Sequence, residues 1–214
     1  MDYASEIARA ALDVPTVKIQ PDNHFVLVSG MKSPMYNDNR KFLFYPQHRA
    51  LIADGFVDLI FRENISYDVI AGVATAGISP ATTLADRLGF PLVYINKTTK
   101  FHGLKNRIEG LGDEKDFFGK RVLVIEDLIT TGGSSISAIK VVRDANGIVE
   151  HCLSIFNYCL AEAEDNFSSL NPSCRFHSIS NYNILLEVAC EIGALTPEQF
   201  KLMQEWKVSP KANF

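Results

Sequence analysis

The sequence predicts an α/β fold: a mostly parallel sheet flanked by helices, with a small N-terminal hood over the sheet's ligand edge. Three observations predict it. Short β-branched runs alternate with amphipathic stretches, the pattern of strands and their covering helices. Gly72, Gly89 and the pair Asn146-Gly147 fall where those runs and stretches should end. A long polar connection, residues 98–117, separates two strong strands, where compact folds normally keep loops short.

Taken in order, residues 2–12 read as a helix leading into a mixed segment, residues 25–45, with turn signals at Ser29-Gly30 and Ser33-Pro34. Residues 48–61 read as a helix entering the main sheet, and residues 67–71 as its first strand. A helix over 80–88, a strand over 92–95 and a strand over 122–125 follow. Turn residues then lead into a helix from 134 to 144, and residues 152–156 form another strand. The tail, 181–206, is predicted helical with a break near Thr196-Pro197. We expect one domain over residues 1–214, with hood elements from about 1–45 and a helical tail from about 181. Open parallel sheets bind ligands beyond the carboxyl ends of their strands. That rule points to the loops after Ala71, Ile95 and Ile125.

Composition narrows the function classes. The 214 residues are 47% apolar and carry a formal net charge of -4, so no broad basic face for nucleic acid or anionic lipid is expected. No apolar run approaches the roughly eighteen residues of a membrane span. The first residues lack a basic and apolar leader, and a cytoplasmic protein is expected. Cys152, Cys159, Cys174 and Cys190 are scattered without a CxxC pair, which suits reduced thiols better than a disulfide framework or zinc site.

The most informative stretch runs from the strand Val122-Leu123-Val124-Ile125 into Glu126-Asp127, then Leu128-Ile129-Thr130-Thr131-Gly132-Gly133-Ser134. A turn of small residues opening a helix offers unpaired backbone N–H groups, reinforced by the hydroxyls of Thr130, Thr131 and Ser134, and so suits a phosphate monoester. Gly132 and Gly133 allow the backbone to approach the anion closely. Two acids beside a phosphate site make sense when a sugar lies there too, because carboxylates accept hydrogen bonds from vicinal hydroxyls. A ribose 5-phosphate satisfies both halves. The lysine of a Walker loop is missing, and there is no GxGxxG. The bland alternative is that Glu126 and Asp127 merely cap the helix.

This block resembles the phosphoribosyl-pyrophosphate signature of the type I phosphoribosyltransferases. Asn96-Lys97-Thr98-Thr99-Lys100-Phe101-His102-Gly103 is similar to the loop Arg-x-x-x-Lys-x-His-Gly of the orotate phosphoribosyltransferases, a branch of that family. Lys97, Lys100 and His102 match, whereas Asn96 replaces the usual arginine, with Lys105 and Arg107 as candidate substitutes. Ser29 to Arg40, including Lys32, Tyr36 and Asn37, resembles the same branch's hood segment. Gly72-Val73-Ala74-Thr75-Ala76-Gly77 resembles its pyrophosphate loop, here with Ala76 where some members have lysine. The stretch Asn157-Tyr158-Cys159-Leu160 lacks the arginine that in other members helps hold orotate.

The resemblance implies transfer of 5-phosphoribosyl from phosphoribosyl pyrophosphate to orotate, giving orotidine 5'-monophosphate in pyrimidine (UMP) biosynthesis. It implies Lys100, His102 and Asp127 as catalytic. The phosphoribosyl pyrophosphate would contact Lys97, Lys100, His102, Thr75 and Ala76. It would also contact Glu126, Asp127, Leu128, Ile129, Thr130, Thr131, Gly132, Gly133 and Ser134. Thr130, Lys32, Tyr36 and Asn37 would face orotate. It further implies Mg²⁺ carried by the diphosphate, with no protein ligand assigned, and a homodimer in which residues 97–110 reach the partner's site. Rival readings are a purine-type phosphoribosyltransferase and a non-catalytic phosphoribosyl-pyrophosphate-sensing regulator.

Overall fold

The structure, a computed structural model, describes residues 1–21, 24–27, 30–97, 107–113 and 115–210. Helix α1 (Tyr3–Asp13) is capped by Asp2, whose side chain accepts from the Ala4 and Ser5 amides. The mixed segment folds as two antiparallel ribbons. Strand β1 (Val17–Ile19), β2 (Phe25–Val26), β3 (Lys32–Ser33) and β4 (Met35–Asn37) pair as β1 with β4 and β2 with β3. A 3₁₀ helix, Asn39–Phe44, follows, with Asp38 accepting from the Arg40 amide at its start.

The main sheet then assembles. Helix α2 (Pro46–Arg62) leads to β5 (Val69–Val73), α3 (Ile78–Leu88), β6 (Leu92–Ile95) and the short β7 (Ile108–Glu109). Strand β8 (Val122–Ile129), α4 (Gly133–Asp144), β9 (His151–Asn157), α5 (Ala161–Ser168), β10 (Arg175–Asn181), α6 (Tyr182–Glu191) and α7 (Pro197–Val208) complete the chain. The six-stranded sheet has the order β10-β9-β8-β5-β6-β7, parallel except for β7 at the edge.

Strand periodicity sorts side chains onto two faces. Ile70, Leu123, Ile125, Leu153 and Ile155 pack with Ala81 and Leu84 of α3 and with residues of α1, α2 and α6. Val69, Ala71, Val73, Val122 and Val124 pack with Ala138, Ile139 and Val142 of α4 and with Phe167 of α5. Buried on both faces, the central strands read as continuous apolar runs, which makes them plain in the sequence.

Two features depart from expectation. Strand β8 continues beyond Ile125 to Ile129, so the acidic pair sits on a strand rather than in a turn. Pairing with β9 as far as Ile129↔Asn157 supplies the backbone partners that carry it on. Helix α5 and strand β10 are additions to the predicted elements. The β10 segment, Arg-Phe-His-Ser-Ile-Ser-Asn, has only Phe176 and Ile179 as apolar residues and shows neither a continuous apolar run nor strict alternation, and on this outer strand only part of the length is buried.

Candidate active site

The chain reverses its direction of travel across the sheet between β5 and β8. From β5 it steps to β6 on one side, and β8 then takes the place on β5's other side. Helices α3 and α4 cover opposite faces, so the loops leaving β5 and β8 diverge and open a crevice at the strands' carboxyl ends. A cleft of about 750 Å³ lies there, lined by Asn37, Asp38 and Arg40 of the hood, Ala74 to Ala76, Asn96, Lys97, Glu126, Asp127 and Ser134. A narrower, mostly apolar hollow adjoins it and shares Arg40, Ala76 and Asp127.

The acids occupy the floor. Glu126 is only 4% exposed. Its Oε2 accepts from the Ser134 hydroxyl at 2.9 Å and the Ser135 hydroxyl at 3.4 Å, and its Oε1 from the Asp127 amide at 3.1 Å. Burial, and then the neighbouring Asp127 charge, push the Glu126 carboxyl well above its ordinary pKa. Burial also raises Asp127. Among the described residues, neither acid makes a salt bridge. The nearby Arg40 guanidinium is engaged by Asp38 at 2.6 and 2.9 Å. From the hood, the buried Asn39 donates through Nδ2 to the Asp127 carbonyl at 2.7 Å, tying the hood to β8 beside the acids.

Beyond them, residues 130–132 turn into α4. Gly132 has φ +82°, and a Cβ there would lie 2.6 Å from Cε2 of Phe167, so both backbone and space require glycine. No side chain caps α4, leaving the first-turn amides free for an anion. Asn166 Nδ2 donates to the Thr131 carbonyl at 2.9 Å and fixes the loop from α5. Across the cleft, a Cβ on Gly77 would come within 2.6 Å of the Ile125 carbonyl oxygen. The loop carrying Thr75 and Ala76 therefore nests directly against β8.

A model of the phosphoribosyl transferase domain matches residues 45–171, the segment that carries every sheet loop of this cleft. The chain belongs to the phosphoribosyl transferase family. An orotate phosphoribosyltransferase of Staphylococcus haemolyticus is 40% identical over 95% of this chain and 98% of its own length. The crystal structure of orotate phosphoribosyltransferase from Aeropyrum pernix superposes with a TM-score of 0.73 at 27% identity, covering 89% of this chain and 99% of that one. Leishmania donovani UMP synthase superposes with a TM-score of 0.79 at 25% identity over 96% of this chain, which spans 42% of that larger protein.

Within this phosphoribosyl transferase, the residues singled out in the sequence fall into four groups. Asn37, Thr75, Ala76, Lys97, Glu126, Asp127 and Ser134 converge on one cleft. Leu128 and Ile129 end β8, Thr130 to Gly132 join it to α4, and Gly133 opens that helix. Lys100 and His102 lie outside the described residues. Lys32 is exposed on β3, Tyr36 packs tilted against Phe25 with ring centroids 5.9 Å apart, and neither is among the cleft's lining residues.

Asn37 is 6% exposed, and neither its Nδ2 nor its Oδ1 has a partner, an uncommon state for a buried amide. Arg107, one of the two expected substitutes for the missing loop arginine, is a strut. It donates to the Asn96 carbonyl at 2.7 Å and to the Ser137 hydroxyl at 3.1 Å. Sequence reasoning misses Asn39, because its bond to Asp127 spans 88 positions and leaves no local pattern.

Proposed function

We propose that the chain transfers 5-phosphoribosyl from phosphoribosyl pyrophosphate to orotate, giving orotidine 5'-monophosphate and pyrophosphate in pyrimidine nucleotide synthesis. One observation carries this reading: two adjacent carboxylates and an uncapped helix start share the floor of a single cleft. The 5-phosphate takes the amides and hydroxyls of Thr130, Thr131, Gly132, Gly133 and Ser134. Glu126 and Asp127 accept from the ribose hydroxyls.

In the reaction the bond between the anomeric carbon and the diphosphate oxygen breaks, and the diphosphate leaves with the electron pair. A bond to N1 of orotate forms, and the N1 proton is released. Positive charge grows on the ribose beside Asp127, whose carboxylate stabilises it. Lys97 stands at the cleft's rim, and we assign Lys100 and His102 to the departing pyrophosphate. The backbone at Thr75 and Ala76 holds the same group. Closing such a cleft excludes water that would hydrolyse the activated sugar.

Among the side chains lining the cleft, Glu126 and Asp127 offer carboxylate oxygens, the donor type that Mg²⁺ prefers, and the described residues contain no cluster of three His, Cys, Asp or Glu side chains able to cage a metal. That donor set suits Mg²⁺ held by diphosphate oxygens and water. When bound, it would neutralise charge on the leaving group.

For the base, the unpartnered Asn37 amide offers one donor face and one acceptor face, complementary to a pyrimidine imide edge. Thr130 and Tyr36 flank the base, and Lys32 lies on the hood behind them. We further propose a single domain and a cytoplasmic homodimer whose residues 97–110 serve the partner's cleft. No described helix is long and apolar enough to cross a membrane.

A panel of orotate, uracil, hypoxanthine and adenine, each supplied with phosphoribosyl pyrophosphate and Mg²⁺, tests the reading. Orotate should be used with a kcat/KM at least about a hundredfold above the purines, as expected when a site pairs specific polar groups. A purine used better than orotate would overturn it, and no turnover with any base would favour the regulator.

A further inference from the structure

The wall that carries Asn37 is gripped from behind by aromatic side chains far away in sequence. Trp206, the only tryptophan, sits on α7 at 1% exposure and donates from Nε1 to the Lys32 carbonyl at 2.8 Å. Tyr158, just past β9 and also 1% exposed, donates from its hydroxyl to the Met35 carbonyl at 3.4 Å, a second and longer bond beside the one that carbonyl accepts from the Ser33 hydroxyl at 2.7 Å. The two rings pack edge to face at 6.2 Å. Tyr182 lies 5.5 Å from Trp206, and its hydroxyl donates to the Met203 carbonyl at 3.0 Å, anchoring α7 to α6. Two donors of one aromatic cluster therefore hold the carbonyls at both ends of a four-residue stretch. Asn37 lies two residues further along the same strand, with its amide unpartnered at the cleft.

We propose that Trp206 and Tyr158 form a brace that sets the position of Asn37 and thereby the affinity for the nucleobase, without touching substrate. Aromatic rings suit this task because each has few rotatable bonds and a polar tip that fixes its direction. The Lys32 carbonyl, on losing its buried donor, shifts to find another partner rather than remain unpaired, whereas the Met35 carbonyl keeps the Ser33 hydroxyl and is only loosened. A shift of β3 and β4 moves Asn37, while the floor, built on β8 and α4, stays in place. Tyr158 also occupies the stretch in which the family resemblance leads one to expect an arginine. In this chain that position supports the wall from behind.

The inference rests on the proposed reaction only for the identity of the base. Trp206→Phe and Tyr158→Phe each remove one donor and keep a ring. Trp206→Phe should raise KM for orotate about fivefold, the effect of one lost hydrogen bond, and Tyr158→Phe, whose carbonyl partner keeps the Ser33 hydroxyl, about twofold. Both kcat and KM for phosphoribosyl pyrophosphate should stay within about twofold of wild type, since only base binding is altered. Amide hydrogen exchange over residues 33–37 should quicken in both variants, with β8 and β9 unchanged.

An unchanged KM for orotate with merely lowered melting temperature would overturn the brace. So would parallel changes in kcat and both KM values, or loss of the fold in both variants. Should the wild type itself not use orotate, the reading of the reaction fails. Hydrogen exchange then decides the brace alone, and unaltered exchange over residues 33–37 overturns it.

Discussion

Strands β5 and β8 lie side by side, and their two ends treat acidic residues in opposite ways. At the amino ends, Asp68 meets Arg121. Its Oδ2 accepts from the arginine's own amide at 2.9 Å and from Nε at 3.1 Å, and its Oδ1 accepts from a terminal nitrogen at 2.8 Å. Those bonds hold the Asp68 carboxyl down at about 2. At the carboxyl ends, Glu126 and Asp127 are adjacent and buried without a salt bridge among the described residues, and both are pushed upward. The first end has resolved its electrostatics within the protein. The second leaves two acids short of positive charge and an amide short of partners, next to a helix start short of a negative one. Such concentrated dissatisfaction marks a place where a ligand completes the structure.

The largest effect that this contrast predicts is at Asp127. Asp127→Asn keeps the volume and the backbone bond to Asn39 but removes the charge beside the developing oxocarbenium. We expect kcat to fall by about 10²–10⁴, the range for losing a preorganised electrostatic contact, with an unchanged fold by circular dichroism. Near-normal turnover would remove Asp127 from the chemistry.

Next in size is the shared site. Lys100→Ala should lower kcat by about 10²-fold or more, as for other groups that meet a leaving anion, and leave stability alone. If residues 97–110 act on the partner's cleft, mixing this variant with Asp127→Asn creates one intact site per mixed dimer. Activity should then recover to about a quarter of wild type, the product of half the dimers and one of two sites. No recovery above the two parents argues against donation across the dimer.

Glu126→Gln should separate stability from function. Its carboxyl is raised in the folded protein, so the folded state is penalised where Glu126 is ionised. Stability on this account is full below the ordinary carboxyl range near 4.5 and is lost as pH rises through the folded value. The substitution removes that penalty while keeping bonds to Ser134 and Ser135. The melting temperature at pH 8 should rise by about 2–4 °C, which corresponds to roughly 1 kcal/mol for a chain of this size, and the gain should vanish toward pH 4. KM for phosphoribosyl pyrophosphate should rise about tenfold, as one charge-assisted hydrogen bond is lost. A melting temperature that falls at pH 8 would mean that the buried acid is stabilising, and the two ends would then not differ as proposed.

How legible this is in sequence follows the same division. The apolar runs of β5 and β8 are buried on both faces and announce themselves, and the loop from Thr130 to Ser134 carries its chemistry in consecutive residues. The end of β8 is misplaced by sequence because Glu126 and Asp127 interrupt its apolar run, although Leu128 and Ile129 resume it. Strand β10 is hidden by partial burial along an outer strand, and α5 by its polar composition. Asn39, Trp206 and the strut role of Arg107 depend on contacts between distant segments, for which one sequence holds no periodic signal. The unpartnered state of Asn37 likewise exists only once the hood has folded over the sheet.

The smallest effect is expected at the opposite end, and it tests whether the contrast concerns function rather than burial. Asp68→Asn removes a carboxylate that is fully satisfied yet exposed, and solvent screens such pairs heavily. At pH 7, kcat and both KM values should be indistinguishable from wild type, and the melting temperature should drop by less than in Trp206→Phe or Tyr158→Phe. The sign with pH is opposite to that at Glu126. A depressed carboxyl contributes stability above its ordinary value of 3.8, and that contribution is lost as pH falls toward about 2. Wild type and Asp68→Asn should therefore converge in acid, whereas wild type and Glu126→Gln diverge as pH rises. High salt at pH 7 should also shrink the Asp68 difference and leave the shielded Glu126 difference intact. A kinetic effect at Asp68 would show that the two ends of these strands are coupled through the sheet, and the division between a settled end and a ligand-completed end would no longer hold.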